Sequence, residues 1–199
     1  MVSNDPNFEA MAADVIALYL TPPLHAVVFC VDEKTANQSL DRKDWMLPLS
    51  PWRAESHGFE YKRHGTLSLF GALNVATGEV LGKTAPRHTS AQFVAFLIEL
   101  VSAQSAGKEI HVIWDNVSSH KTDAVQTFLA DHPKVSIHCT PTYSSWLNPV
   151  ENWFARIQRD AIARGVFTGT KDLDKKLMRY IRQYSATRVA VSRASSGMQ

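Results

Sequence analysis

Apolar residues follow two different spacings along this chain, and the change from one to the other separates helices from strands. Over residues 90–102 the apolar positions recur every three or four residues, as on one face of a helix. Over 25–31 the chain is β-branched and almost continuously apolar, which is typical of a strand buried on both faces. The same reasoning along the chain predicts helices over about 8–20, 90–102, 122–130, 148–164 and 171–184, and strands over 25–31, 66–75, 79–83, 110–114 and 135–139.

Several local signals mark where these elements begin and end. Pro22 and Pro23 stop the first helix, because proline cannot continue a helix and restricts the residue before it. Thr89 or Ser90 is suited to cap the helix over 90–102. Residues 36–60 are rich in Pro, Ser, Trp and charge without a sustained period, which predicts a long loop.

The order of the elements is strand, hairpin, helix, strand, helix, strand and then helices. This order predicts an α/β fold with a mixed five-stranded sheet and helices on both faces. We expect three parts: a linker helix within residues 1–22, a catalytic domain over 23–184, and a disordered Ser- and Ala-rich tail over 185–199.

Composition narrows the class of protein only slightly. The 199 residues are 45% hydrophobic and 20% charged, as in an ordinary globular domain, and the net charge of +2 permits nucleic-acid binding without arguing for it. Cys30 and Cys139 have no metal-site spacing and are expected to be reduced, buried thiols. No leader and no apolar run of membrane-spanning length is visible, so we expect a cytoplasmic protein without a membrane anchor.

Two aspartates follow apolar strands directly, Asp32 after HAVVFCV and Asp115 after IHVIW. In open α/β sheets, ligand sites lie outside the carboxyl ends of the strands, so carboxylates on adjacent parallel strands would converge there. Turn chemistry is the alternative explanation for an aspartate at the end of a strand, and it fits either residue taken alone.

A third carboxylate, Glu151, lies in the first turn of the helix that begins at Asn148 and Pro149. With Asn148 as the capping residue, Glu151 would occupy the third helical position of a capping box and bind a backbone N–H. That role does not exclude metal binding. Three carboxylates suit Mg²⁺ or Mn²⁺, and two such ions support in-line displacement at a phosphodiester, with water or a 3′-hydroxyl as the nucleophile.

Three blocks of the chain resemble the acidic motifs of bacterial insertion-sequence transposases of the mariner superfamily, which are DDE endonucleases. The blocks are VDEK at 31–34, WDNVSSHK at 114–121 and TPTYSSWLNPVEN at 140–152, with YKRHGT at 61–66 and PRHTS at 86–90 as supporting segments. The resemblance covers about residues 20–184. It implies a ribonuclease-H-like fold, Asp32, Asp115 and Glu151 as catalytic ligands of two Mg²⁺ or Mn²⁺ ions, and cut-and-paste transposition of DNA.

The resemblance also implies partners. Its substrate would be double-stranded DNA, both as transposon ends and as target, in the bacterial nucleoid. Family members usually begin with helix-turn-helix modules, whereas this chain begins about 30 residues before Asp32. We therefore expect a homodimer or a separate DNA-binding partner.

Several residues are candidates for contact with DNA, although each has an ordinary structural explanation as a solvated or helix-start residue. Trp146 could stack on an unpaired base, but burial against the sheet is the more frequent fate of a tryptophan. Trp153, Phe154 and Ile157 have helical spacing and are expected in the core. The candidates for phosphate contact are Lys34, Arg63, His64, Arg87, His120 and Lys121.

Two other functions compete with an active transposase. The first is a structure-selective nuclease or ribonuclease H built on the same fold, which the spacing between Asp115 and Glu151 makes less favourable. The second is a catalytically silent remnant that only binds DNA, which the intact set of three carboxylates argues against.

Overall fold

The structure is a computed structural model, and it describes residues 5–42, 61–116 and 122–196. Its five-stranded sheet has the order β3-β2-β1-β4-β5. Strand β1 pairs in antiparallel fashion with β2 and in parallel fashion with β4, and β5 is parallel to β4. The strands are β1 (Ala26–Arg42), β2 (Tyr61–Asn74), β3 (Val80–Ala85), β4 (Glu109–Trp114) and β5 (Val135–Cys139).

Helices cover both faces of the sheet, as the order of elements predicts. Alternate residues of β1 point to opposite faces, so Val28 and Cys30 lie in one core and Phe29 and Val31 in the other. The helices are α1 (Phe8–Leu20), α2 (Ser90–Ser102), α3 (Asp123–Asp131), α4 (Val150–Ile157) and α5 (Thr170–Ser196). Residues of α1, α4 and α5 share the first core, and residues of α2 and α3 share the second.

Helix α1 is part of the same core as the sheet. Its Ala12, Val15 and Leu18 are buried there. The Tyr19 hydroxyl donates a hydrogen bond of 2.6 Å to the carbonyl of Leu147. This contact ties the helix to residues 140–149, which we call the 140–149 loop. The division of the chain at residues 22 and 23 stays a prediction.

Two predicted boundaries are wrong. Strand β1 continues to Arg42 and β2 begins at Tyr61, so residues 36–42 are strand where a loop was expected. The reason is that β1 extends beyond the end of its parallel partner β4 and remains paired only with β2 in antiparallel fashion, where polar residues are tolerated. The remainder of the predicted loop, residues 43–60, lies outside the described part of the chain.

The last helix is also longer than predicted. We expected it to end near Tyr184 and a disordered tail to follow, but α5 continues to Ser196. Ser185 helps to hold this extension, because its hydroxyl accepts from the Val80 N–H at 3.0 Å and donates to the Val80 carbonyl at 3.1 Å. Low sequence complexity therefore does not prevent the helix from docking on β3.

The helix that begins after Pro149 has an irregular end. Helix α4 is regular only to Ile157, and a wider π turn follows over Gln158–Ile162, in which the Ala163 N–H donates to the Gln158 carbonyl at 2.7 Å.

In the described part of the chain, no helix combines the length and apolar character needed to cross a membrane. Both cysteines are free, Cys30 fully buried and Cys139 half-buried.

Candidate active site

Asp32 and Asp115 lie at the same level on the same face of the sheet. The parallel pairing of β1 and β4 ends at Cys30 and Ile113, and each aspartate comes two residues later. Cys30 and Ile113 both belong to the core that contains α1, α4 and α5, so the alternation of side chains directs both aspartates toward those helices. The expectation that parallel strands would bring these carboxylates together is therefore met.

Glu151 approaches the aspartates from the first turn of α4. A hydrogen bond with Glu151 and the charges of Asp115 and Glu151 add to burial in raising the pKa of the Asp32 carboxyl to about 8. The Glu33 N–H donates to Asp32 Oδ1 at 2.7 Å and opposes this rise. Asp32 is buried, Asp115 is half-buried and Glu151 is exposed. Asp32 therefore interacts with both of the other carboxyl groups at one edge of the sheet.

The capping role expected for Asn148 is not found. Pro149 occupies the capping position of α4, with no side-chain bond to the helix end. The Asn148 side chain is buried, and its Nδ2 donates to the carbonyl of Val31 at 3.2 Å. Since Val31 precedes Asp32, this bond holds the start of α4 against the strand that carries the first carboxylate. The sequence pattern for a helix cap concealed this anchoring role.

A glycine in β2 lets α4 come close to the sheet. Gly71 pairs with Asp32 across β1 and β2. A methyl group at Gly71 would lie 3.1 Å from the Phe154 ring and 3.3 Å from the Trp153 ring. Both rings are buried together with Ile157, as their spacing predicts. The missing side chain thus sets the distance between α4, with its Glu151, and the aspartates.

Helix α1 and the 140–149 loop stabilise each other beside this edge. The Asp5 carboxylate accepts from both the N–H and the hydroxyl of Thr142 at 3.2 Å. Burial raises the pKa of the Tyr19 phenol well above its ordinary value and that of the Cys30 thiol to about 11. Tyr19 therefore remains a hydrogen-bond donor and Cys30 remains a thiol. The buried thiol of Cys30 agrees with the prediction from the sequence, whereas the role of Tyr19 has no signal there.

The candidates for DNA contact are scattered. Lys34 is half-buried, two residues beyond Asp32 on the same strand. Arg63 pairs with Leu40, about 25 Å beyond Asp32 at roughly 3.3 Å per residue. His64 Nε2 lies 3.4 Å from Asp41 Oδ2. Exposed Arg87 follows β3, two strands from β1, while His120 and Lys121 lie outside the described residues.

Two aromatic side chains of the 140–149 loop face solvent. Trp146 is 68% exposed, so the expectation that it would be buried against the sheet is wrong. Tyr143 is 73% exposed and has a φ of 61°, which is uncommon for a residue other than glycine. Buried Ser144 and Leu147 fix the loop between them. Next to them, Leu147, Val150 and Trp153 lie in the core.

Comparisons with known proteins place this chain in a family. Residues 27–174 match the family described as DDE superfamily endonuclease. A stretch of 121 residues is 32% identical to a Shigella sonnei protein described as the insertion element IS630 uncharacterized 39 kDa protein. That match covers 61% of this chain and 34% of the other, so the chain spans about a third of the length of this relative.

Solved structures show the same fold. The catalytic domain of Mos1 mariner transposase is similar with a TM-score of 0.62 and 16% identity, over 94% of this chain and 89% of that one. The Mos1 mariner paired end complex with Mn gives a TM-score of 0.66 and 17% identity, over 94% and 60% of the two chains. These likenesses confirm the predicted ribonuclease-H-like fold, and the family match over more than half of the residues confirms the resemblance drawn from the three motifs: the chain belongs to the DDE superfamily endonucleases.

Proposed function

We propose that this chain is the catalytic domain of a DNA transposase, which cleaves phosphodiester bonds at transposon ends and joins the ends to target DNA. The observation that carries the proposal is the meeting of Asp32, Asp115 and Glu151 at one sheet edge, from three separate parts of the chain. The family and the insertion-element relative support it. The Mos1 complexes, described as a strand transfer complex and a paired end complex, support the same reaction type by fold.

The carboxylates fit a divalent-metal site by their chemistry. Oxygen ligands with negative charge are those that Mg²⁺ and Mn²⁺ prefer, and the charges are close enough to raise the pKa of Asp32. Within the described residues, however, no group of three or more His, Cys, Asp or Glu side chains is arranged to hold a metal ion as it stands. We infer that Glu151, which is exposed, turns from its bond with Asp32 when metal binds. A pair of ions would stabilise the attacking and leaving oxygens of an in-line displacement.

The chain's own residues prepare that arrangement. Asp32 must give up its proton, since a carboxylate binds metal only when ionised. The Glu33 N–H holds Asp32 Oδ1 and favours the ionised form. Asn148 and the close packing at Gly71 keep α4 in place while the Glu151 side chain moves. The backbone is therefore fixed, and the rearrangement is limited to side chains.

Duplex DNA is the proposed partner, as transposon ends and as target. Lys34 is placed to meet a phosphate near the carboxylates, while Arg63 and Arg87 would meet the duplex further away. Such contacts supply affinity without sequence information, so binding is expected to depend steeply on salt. A second copy of the chain or a separate DNA-binding module is proposed as a further partner. The matched region covers 59% and 60% of the Mos1 chains in these two complexes.

The proposal is tested by a cleavage and joining assay. The substrates are a duplex that carries the ends of the insertion element, the same duplex already cut to a 3′-hydroxyl, and a supercoiled target plasmid. We expect cleavage and joined product with Mg²⁺ or Mn²⁺ and neither with EDTA. Cleavage restricted to branched DNA would indicate a structure-selective nuclease instead of a transposase. Cleavage restricted to the RNA strand of a hybrid would indicate a ribonuclease H. If no substrate is cleaved in the presence of metal, the remaining interpretation is a catalytically silent remnant that only binds DNA.

Trp146 and Tyr143 are proposed to stack on unpaired bases beside the cut. Replacing Trp146 by Ala should weaken binding to a duplex with a three-nucleotide single-stranded end by about fivefold, since stacking on an aromatic ring contributes about 1 kcal/mol or more per base. Fluorescence anisotropy in EDTA measures this affinity. Trp146→Phe is the matched control and should retain most of it. An equal loss on blunt duplex would show that the tryptophan does not act on unpaired bases.

Gly71 is predicted to control the position of Glu151. A Gly71→Ala change should cost about 1–3 kcal/mol of stability through overpacking and lower cleavage about tenfold, because α4 must move away from the aspartates. Phe154→Leu in the same chain should restore part of the activity by making room. Gly169→Ala, where no atom lies within 4 Å of the added methyl group, is the control. Full activity of Gly71→Ala would refute this role.

A further inference from the structure

A charged cleft lies between α4 and α5, outside the acidic site. Its volume is about 370 Å³, and its lining includes Arg156 and Asp160 from the α4 segment and Tyr180, Tyr184 and Arg188 from α5. Two guanidinium groups share one aromatic ring there. The Cζ atom of Arg156 is 5.3 Å and that of Arg188 is 5.1 Å from the centroid of the Tyr184 ring.

The cleft has more positive than negative charge. Among the described residues that line it, Asp160 is the only carboxylate. It accepts from Arg159 Nε at 2.9 Å and from the Tyr180 hydroxyl at 2.9 Å, and it lies 3.5 Å from Arg156 Nε. Two lining arginines, Arg156 and Arg188, therefore accompany one lining carboxylate. Within residues 5–42, 61–116 and 122–196, no carboxylate lies within ion-pair distance of Arg188. The charge of Arg188 is thus left for a ligand.

Arg188 is held in a defined position although its charge is not paired there. Its guanidinium lies over the Tyr184 ring in a cation–π contact, and that ring stacks on Tyr180 with centroids 6.4 Å apart. Its stem passes the β2–β3 turn so closely that a Cβ atom on Gly78 would lie 3.6 Å from Arg188 Cδ. A guanidinium carries its N–H donors at the edge of its plane, where they can meet the two oxygens of a phosphate while the ring contact is kept. The side chain therefore loses little freedom on binding such a group.

We propose that this cleft binds a backbone phosphate of the DNA, several nucleotides from the bond that is cut. The proposal rests on the proposed function for its choice of DNA as the anion. Arg156 lies on the same helix as Glu151, five residues later, which is about 7.5 Å along the helix axis. Phosphates of one strand follow one another at about 3.4 Å along the duplex axis. In this proposal the duplex runs from the acidic site along α4 and reaches the cleft within a few nucleotides.

The test is DNA binding by an Arg188→Ala variant in EDTA, on a random 30-base-pair duplex, over a series of salt concentrations. We expect affinity to fall about fivefold at low salt and the slope of log affinity against log salt to decrease by about one contact. Arg188→Lys keeps the charge without the planar fork, so it should keep the wild-type slope with a smaller loss of affinity. Arg182→Ala is the matched control, an exposed arginine of α5 outside the cleft, and should change little.

Three outcomes would overturn the proposal. Wild-type affinity and slope for Arg188→Ala would do so, and a lowered melting temperature in that variant would then assign the stack to packing of α5. Equal losses for Arg182→Ala and Arg188→Ala would point to general surface charge. A salt slope for Arg188→Lys as low as that for Arg188→Ala would exclude a charge contact. Binding is measured without metal, so the two proposals can fail separately. If the cleavage assay fails but Arg188→Ala still lowers affinity and salt slope as expected, the transposase activity is rejected while phosphate binding by the cleft stands.

Discussion

Replacing Glu151 by Gln should reduce Mg²⁺-dependent DNA cleavage by more than about 100-fold, which is the upper figure for loss of a residue that only supports a metal ligand. Gln is the same size but cannot carry the negative charge that a hard cation requires. The change is made on an exposed side chain at the first turn of α4, so the fold should persist. Single-turnover cleavage of a pre-assembled complex measures the effect without a contribution from product release.

The control for this variant is a neighbouring acid. Glu33 follows Asp32 directly and is half-buried, and its backbone N–H donates to the Asp32 carboxylate. Because successive residues of a strand point to opposite faces, the Glu33 side chain is directed away from the face that carries Asp32. Glu33→Gln should therefore keep cleavage within about tenfold of the wild type. DNA affinity of Glu151→Gln in EDTA should be equal to or above that of the wild type, because a negative charge has been removed beside the duplex. A Glu151→Gln enzyme with near-normal cleavage would remove Glu151 from the proposed machinery.

The alternation of helices and strands could be predicted because most elements carry a clear period. Strand β5 and helix α2 have the predicted bounds, and Thr89 caps α2 by accepting from the Gln92 N–H. The end of β1 could not be found in this way. Its polar residues after Lys34 have no apolar period, and only the pairing with β2 makes them a strand. Tertiary pairing thus overrides the local pattern there.

The acidic residues were predictable to different degrees. Asp32 and Asp115 follow buried strands, and parallel pairing of those strands is enough to bring them to one level. Glu151 depends on packing that a linear pattern does not contain. Its helix is set by a missing side chain at Gly71 and by the bond from Asn148 to Val31, a residue 117 positions away. Local reasoning left open whether Glu151 caps its helix or binds metal, and the metal-ligand role was implied by the resemblance of residues 140–152 to a family motif.

We expect the metal-free protein to lose stability as pH rises, because Asp32 is buried beside two other carboxyl groups. The pKa of Asp32 is about 8 in the folded chain against 3.8 for an ordinary aspartate, with burial as the largest cause and Glu151 next. Below pH 3.8 the carboxyl group is protonated in both the folded and unfolded states. Between pH 3.8 and 8 the unfolded chain releases this proton while the folded chain keeps it, so the free energy of unfolding decreases. Above about pH 8 the loss is complete.

Asp32→Asn removes the titrating group and isolates this effect. In EDTA at pH 9 the variant should melt at least about 4 °C above the wild type, the shift that about 1–2 kcal/mol produces in a domain of this size, and the difference should vanish near pH 4. Millimolar Mg²⁺ or Mn²⁺ should stabilise the wild type, more at pH 8 than at pH 6, because protons compete with the metal for the carboxylates. The variant should gain little from either ion. If the melting temperatures of the two proteins change in parallel from pH 4 to 9, Asp32 is not the group that lowers stability as pH rises. If both proteins are stabilised equally by metal, the ions bind at another site.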